Sequence, residues 1–358
     1  MTIYDELPAI YRIKRAQTDV DRIANEFYEA SLDLDPVLAT EHGRTGVETL
    51  FGDYSPAGEE AYAKLVKKTL KKLDKVIPID DTDLVTLDAM QERLTLTRQM
   101  RRAGLGQWQL NNIFSAPQQI RTSFDLMSRE NERDWAHIAG RLANVPGAID
   151  GFIQTLEAAR AEGKVSPRRQ VQIVIEQAEA YIADGGFFDA LAAEITAAAP
   201  AITEQAREGA QAAKDGYRAL ITYLRDTLLP EAPSKDAVGR ELYTLYSRES
   251  LGASIDLDET YAWGVQELER IITEQHTVAS EIEPGASIER AKELLDMDPV
   301  RALHGTEALR EWMQTHADTA ADCCQTVANC GDRTGNFHYF SFQQCPGRNP
   351  SSAEQSLL

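Results

Sequence analysis

The sequence predicts an all-α protein, mostly helical and built as an irregular multi-helix scaffold, with a non-helical or disordered C-terminal tail. Three observations carry this. Apolar residues recur at helical spacing through most of the first 320 positions, few runs alternate with the period of two that a strand needs, and Pro or Gly ends the periodic segments.

From Asp19, the residues Val20, Ile23, Phe27 and Ala30 form one stripe that Asp35-Pro36 ends. Glu59 to Leu73 and Asp83 to Arg102 give a second and a third helix. The third places Leu84, Leu87, Met90 and Leu94 on one face and Arg98, Arg101 and Arg102 near its C-terminal end, where cations complement the macrodipole. Gly104 and Gly106 stop it. Gln107 to Met127 fits no period and is expected to connect without regular structure, packing Trp108 and Phe114 inward; loops of this length are often functional.

Glu130 to Glu162 reads as helix, with Pro146 expected to kink or split it. Ser166-Pro167 has N-cap and N1 chemistry for a helix carrying Val171, Ile173, Val174 and Ala178. Thr203 to Leu229 is the longest unbroken pattern, ended by Leu229-Pro230. Shorter helices are expected at Ala237 to Ser247, Asp258 to Glu281, Ser287 to Leu295 and Thr306 to Thr319, with Asp298-Pro299 in a turn between the last two. No internal repeat of fixed period appears.

The chain has 358 residues, 37 Lys and Arg against 57 Asp and Glu, and a formal net charge of -20. That field repels polyanions, and no basic patch stands out to override it, so a nucleic-acid partner is not expected. Met1 to Arg15 has no continuous apolar run of the kind a signal peptide carries, and no stretch approaches the apolar length of a membrane span. The expectation is a cytoplasmic protein with no membrane partner.

The six His lie at 42, 137, 276, 304, 316 and 338, no two of them four apart, so the helical pair of zinc ligands is missing. His304, Glu307 and Glu311 have a spacing that could align on a helix, but Gly305-Thr306 looks like the helix start and leaves His304 outside; a charged solvated face is the plainer reading. Gly104-Leu105-Gly106 lacks the third glycine and the preceding strand of a dinucleotide loop, and Gly163-Lys164 is followed by Val165, not Ser or Thr. Acidic pairs such as Glu59-Glu60 and Asp80-Asp81 are expected by chance among 57 acids. Cys323, Cys324, Cys330 and Cys345, with His338, could ligate zinc, yet no C-x2-C spacing sets two ligands on one turn. Vicinal Cys323-Cys324 is strained as a disulfide.

Several segments, in this order, resemble the bacterial family catalogued as domain of unknown function 885, whose members are similar to zinc metallopeptidases. They are Leu34-Asp35-Pro36-Val37-Leu38-Ala39-Thr40-Glu41-His42-Gly43, Asp53-Tyr54-Ser55-Pro56-Ala57-Gly58, and Arg141-Leu142-Ala143-Asn144-Val145-Pro146. Next come Gly163-Lys164-Val165-Ser166-Pro167-Arg168-Arg169, Val238-Gly239-Arg240-Glu241-Leu242-Tyr243 and Trp263-Gly264-Val265-Gln266-Glu267-Leu268. Asp298-Pro299 and Gly305-Thr306-Glu307-Ala308-Leu309-Arg310-Glu311-Trp312-Met313 complete the set, so the resemblance covers about residues 16–320. It implies a helical N-terminal scaffold followed by a C-terminal half with a His-Glu and Pro-Gly-His-His metal motif. None of those metal or catalytic positions has a counterpart in this sequence.

Composition changes near Ala320: residues 321–358 hold all four Cys, and Phe337, Tyr339, Phe340 and Phe342 bunch among Gly, Asn, Gln and Ser. The expected division is therefore a helical domain, 1–320, and a Cys-rich tail, 321–358, disordered or translated out of frame. The functional expectation is the truncated helical part of a zinc-dependent peptidase-like hydrolase, inactive alone. Zinc is expected for full-length relatives; no cofactor and no catalytic, cofactor-binding or metal residue is assigned to this chain. Self-association through an exposed apolar face is expected, since a half that normally packs against another leaves such a face open. The alternatives are a self-contained helical ligand-binding or protein-interaction module, with Trp108 to Met127 lining a groove, and a helical body with a zinc-binding tail.

Overall fold

A computed structural model describes residues 15–300 and 302–330, with side chains as far as 321. Among them there are helices and no strands, as the periodicity predicts. Two compact units form, Met1–Ile255 and Asp256–Leu358.

In the first unit, α1 (Asp19–Leu34) starts where Thr18 and Asp21 form a reciprocal capping box, and Asp35 ends it while capping the short α2 (Pro36–Glu41) through Val37 and Leu38 N–H at 3.1 Å. The helices α3 (Pro56–Leu73) and α4 (Asp81–Arg102) begin at Ser55 and Asp80. Ile23, Val66, Leu70, Leu73 and Leu94 make a small core joining α1, α3 and α4. Leu87 and Met90 pack against it, but Leu84, expected on that face, is exposed in the first turn of α4. Gly104 adopts φ 83° and stops α4, a conformation that other residues reach only with strain.

The segment expected to lack regular structure holds α5 (Ala116–Thr122). Leu110, Ala116, Ile120, Phe124 and Met127 enter the main core, whereas Phe114, expected inside, is 74% exposed. Asn111 explains the reversal, because its Oδ1 accepts from Ile113 N–H at 2.8 Å and Phe114 N–H at 2.6 Å and turns the chain outward.

The main core lies between α6 (Glu132–Ala161) and α9 (Thr203–Tyr223), with α7 (Arg168–Ile182) and α8 (Phe187–Ala198) packed alongside. Pro146 does not split α6, which runs unbroken through it. Ile138, Leu142 and Val145 before the proline and Ile149, Phe152 and Leu156 after it are all buried in one core. That burial offsets the roughly 3 kcal/mol an internal proline costs. The two helices approach closely because α9 turns Gly209 and Gly216 toward α6: a Cβ on Gly216 would stand 3.1 Å from Pro146 Cα.

Ser166 is not the N-cap of α7. Pro167 holds that place, and the buried Ser166 hydroxyl instead accepts from Leu110 N–H at 2.9 Å, tying the 104–115 segment down. After α9 the backbone widens into a π turn, Leu224–Leu228, which keeps Leu224 and Leu228 buried before α10 (Leu229–Glu231) ends at the expected proline region. The last helix of this unit is α11 (Arg240–Leu251), fixed to α4 by Arg248 on Glu92 and by Arg93 Nη1 donating to Glu249 O at 2.6 Å.

The second unit holds α12 (Leu257–Ile282), α13 (Ile288–Met297) and α14 (Thr306–Cys330). Asp256 and Ser287 cap the first two. The helical backbone of α14 continues through Cys323 and Cys324 to Cys330; His338 and Cys345 lie outside the described residues, as do the aromatics at 337–342. Among the described residues no helix is long and apolar enough to cross a membrane.

Candidate interaction surfaces

Three of the family-like segments, distant in sequence, converge on one face of α6. Arg141 is 1% exposed; its Nη2 donates to Thr40 Oγ1 at 2.8 Å and its Nη1 to Ser123 O at 3.3 Å, while the buried Nε has no partner among the described residues. The guanidinium stands 5.7 Å from the Phe51 ring centre. Burial pulls its pKa below the ordinary value, opposed by Tyr54, Glu48, Glu41 and Asp35 nearby. Asn144 Nδ2 donates to Thr49 O at 2.9 Å and Thr155 Oγ1 to Tyr54 O at 2.7 Å, so one side of α6 clamps the strap between α2 and α3. With its donors turned inward, Arg141 holds the scaffold and offers nothing to a ligand. Tyr217 is similar: a phenol buried in the core, its OH donating to Pro117 O at 2.5 Å.

Two surfaces face outward. On α12, Tyr261, Val265, Leu268 and Ile272 fall at i, i+4, i+7 and i+11, and all four are exposed, Tyr261 by 76%. Ile271, Val278 and Ile282 widen the stripe, while Ala279 alone is buried on this helix. Leu309, Trp312 and Met313 make a shorter exposed set on α14. A contiguous apolar stripe of this size on a surface marks a contact site.

The second surface corrects the reading that no basic patch stands out. Lys64, Lys67, Lys68, Lys71, Lys72 and Lys75 line one depression of about 430 Å³ on and just after α3. Their i, i+3, i+4, i+7, i+8, i+11 spacing puts them on the side opposite the buried Val66, Leu70 and Leu73. That spacing was the signal, hidden by the acidic total. A groove of about 520 Å³ between α1 and α3 adjoins it, lined in part by Gln17, Arg22, Glu26, Phe27, Lys68 and Lys72. Lys72 and Arg22 hold the Glu26 carboxyl below its ordinary range.

The candidate metal and acid groups are not brought together. Glu307 pairs with Arg310, and His304 is exposed ahead of α14. Glu59 accepts from Gln107 N–H at 2.7 Å, Glu60 pairs with Arg101, and Asp80 caps α4 while accepting from Arg15. Among the described residues no group of three or more His, Cys, Asp or Glu is placed to hold a metal ion. The side chains of Cys323, Cys324 and Cys330 are not among those described. Most apolar residues of Trp108 to Met127 are in the core, while Ile113, Phe114 and Leu126 are exposed.

Among the described residues the chain is all-α, with an exposed apolar stripe in its second unit. The chain matches the family described as "bacterial protein of unknown function" (DUF885) over residues 36–330, and it belongs to that family. Its fold is similar to that of "the putative lipoprotein from Colwellia psychrerythraea", with 16% identity and a TM-score of 0.65 over 87% of this chain and 60% of that one. It is also similar to "a putative lipoprotein of unknown function from Shewanella oneidensis", with 14% identity and a TM-score of 0.59 over 96% of this chain and 67% of that one. At these identities the likeness is one of fold. The chain spans about 60% of the length of the Colwellia protein. No curated protein matches the sequence.

Proposed function

We propose that this chain is the helical part of a zinc-peptidase-like hydrolase, carrying no metal ligands of its own and inactive by itself. The observation that carries the reading is the stripe Tyr261, Val265, Leu268 and Ile272, exposed along α12 where a helix of a finished core would bury it. The greater length of both structural neighbours supports it, as does the family resemblance, which implies a metal-bearing half after a helical one. In this proposal the missing half covers the stripe, the tail outside the family fold begins after residue 330, where the family match ends, rather than at 321, and the isolated chain self-associates through the open face.

The test is to read the gene past the codon for Ala320 in all three frames and to express any family-like segment found there with this chain. The expected result is a frame that reaches His-Glu and Pro-Gly-His-His. Co-expression should then give one complex that binds zinc and hydrolyses peptides, while this chain alone does neither. If no frame contains the segment, or if the chain alone binds zinc stoichiometrically and cleaves peptides, the proposal is wrong.

A second reading, a self-contained helical interaction module, draws on the complete core of the first unit. It predicts a cooperative melt and a monomer in solution, where the half-protein reading predicts association that Leu268→Lys suppresses. The cytoplasmic location read from the sequence belongs to the proposal too. The lipoprotein names of the two neighbours support the contrary, a place at the cell envelope, and fractionation with an antibody to the chain decides.

A further inference from the structure

We propose that the lysine face of α3 and the rigid apolar tip that follows it dock the protein on an anionic lipid surface. This inference is independent of the hydrolase reading. It rests on two adjacent features that a lipid surface fits together and that neither a nucleic acid nor a small anion needs.

The first is charge. Lys67, Lys68, Lys71 and Lys75 are exposed and make no ion pair among the described residues, whereas Lys64 and Lys72 have carboxylates at Glu60 and Glu26. From Lys64 to Lys75 the stripe rises about 17 Å, nearly two Debye lengths at roughly 0.1 M salt. Acids more than a Debye length from this face are screened there, so the potential is set by the local lysines together with the acids beside them. The acids beside this face are Glu60, which Arg101 also engages, Glu26, held by Arg22 as well, Glu29 and Asp33, which line the adjoining groove with Lys68 and Lys72 and of which Asp33 pairs with Arg44, and the exposed Asp74.

The second is an apolar tip at the C-terminal end of the same stripe. Two residues beyond Lys75, Ile77 is 79% exposed, Ile79 is 75% exposed, and Leu84 and Val85 continue the exposed set into the first turn of α4. The tip is fixed in this outward pose. Buried Asp83 accepts from Ile79 N–H at 3.0 Å and from Thr18 Oγ1 at 2.7 Å, and Arg15 bridges Asp21, Asp80 and Asp83. Exposed isoleucines held rigidly have no role in the small core beneath them. Beside lysines they supply what a peripheral membrane site requires, apolar insertion at the acyl boundary combined with cation attraction to headgroups, each weak alone.

The test is co-sedimentation of the full chain with phosphatidylcholine vesicles, with and without about one third phosphatidylglycerol, at roughly 0.1 M salt. Binding only to the anionic vesicles is expected. The variant Lys67→Gln/Lys68→Gln/Lys71→Gln/Lys75→Gln should lose a few-hundred-fold in partitioning, at about fivefold per lysine. Ile77→Ser/Ile79→Ser should lose binding as well, and should leave the circular dichroism spectrum unchanged because both side chains are in solvent. Three outcomes overturn the proposal: equal partitioning to neutral and anionic vesicles, anionic binding that the isoleucine variant retains in full, or tight binding of a DNA duplex that the lysine variant loses while vesicles never bind. The last would assign the face to a nucleic acid.

Discussion

Replacing Gly216 by Ala tests the account of how α6 and α9 pack. In a helix interior that change normally stabilises by about 1 kcal/mol, because Gly has more backbone freedom to lose. At Gly216 the new Cβ would lie 3.1 Å from Pro146 Cα and 3.4 Å from Pro146 N. Carbon contacts are optimal near 3.5–4.0 Å, so the helices must separate by about half an ångström. Both colliding atoms are backbone of a helix that cannot yield locally. Overpacking of this kind costs about 1–3 kcal/mol, which leaves a net loss of up to about 2 kcal/mol. Gly209→Ala meets Ala139 O and Leu142 Cβ, both at 3.0 Å, and should behave alike. The two lie on the same side of α9, so one separation relieves both collisions and the double variant should lose less than the sum. Gly147 is the control: exposed on α6 with nothing within 4 Å, its Ala variant should gain about 0.5–1 kcal/mol. Urea unfolding followed by circular dichroism measures all four. If Gly216→Ala stabilises as much as Gly147→Ala, the close approach of α6 and α9 is wrong.

Arg141→Met should unfold within about 1 kcal/mol of wild type, since it removes a buried charge with an unpaired Nε, whereas Arg141→Ala should lose about 3 kcal/mol to the cavity; equal losses would show that the charge itself is needed. Ser166→Ala leaves the buried Leu110 N–H without its acceptor and should cost about 1–3 kcal/mol, with faster hydrogen exchange at that amide. Arg160 and then Tyr223 draw the Glu157 carboxyl down from 4.5 to about 2. A carboxyl depressed in the folded state contributes stability that is complete above pH about 4.5 and disappears as pH falls through about 2. Glu157→Gln should therefore be less stable than wild type at neutral pH, with the gap closing on acidification; a gap that is constant with pH would refute this.

Helix ends were legible wherever one side chain decides them: Asp35-Pro36, Gly104 and Ser287 act within a few residues of chain, whereas Pro230, expected to end its helix, lies inside the turn Leu229–Glu231. Long stripes such as Ala206 to Leu228 were legible because one face is buried throughout. The short helices α2, α5 and α8 were not foreseen. Phe187 to Ala198 is apolar on nearly every side and gives no contrast between faces, and α5 is too short to repeat a period. Pro146 packs against Gly216, seventy positions later, and the sequence does not say that the two meet. Arg141 likewise draws its partners from Thr40, Phe51 and Ser123. Of the surfaces, the lysine stripe could be read from spacing but was lost in a charge summed over the whole chain. The helix of the α12 stripe was legible from its period, but the exposure of its apolar face was not, because periodicity reports amphipathicity and not what lies across from it.

The uneven distribution of buried residues has an evolutionary side. On α12 and α13 the buried residues are Ala279 and Ala291 alone, so little in the folding of these helices asks Tyr261, Val265, Leu268 or Ile272 to stay apolar. Exposed positions drift freely under selection for stability alone. If contact with another surface keeps this face apolar, related chains will hold apolar residues at these four positions while their exposed neighbours vary, and the permitted substitutions will outline the shape of the surface that covers it.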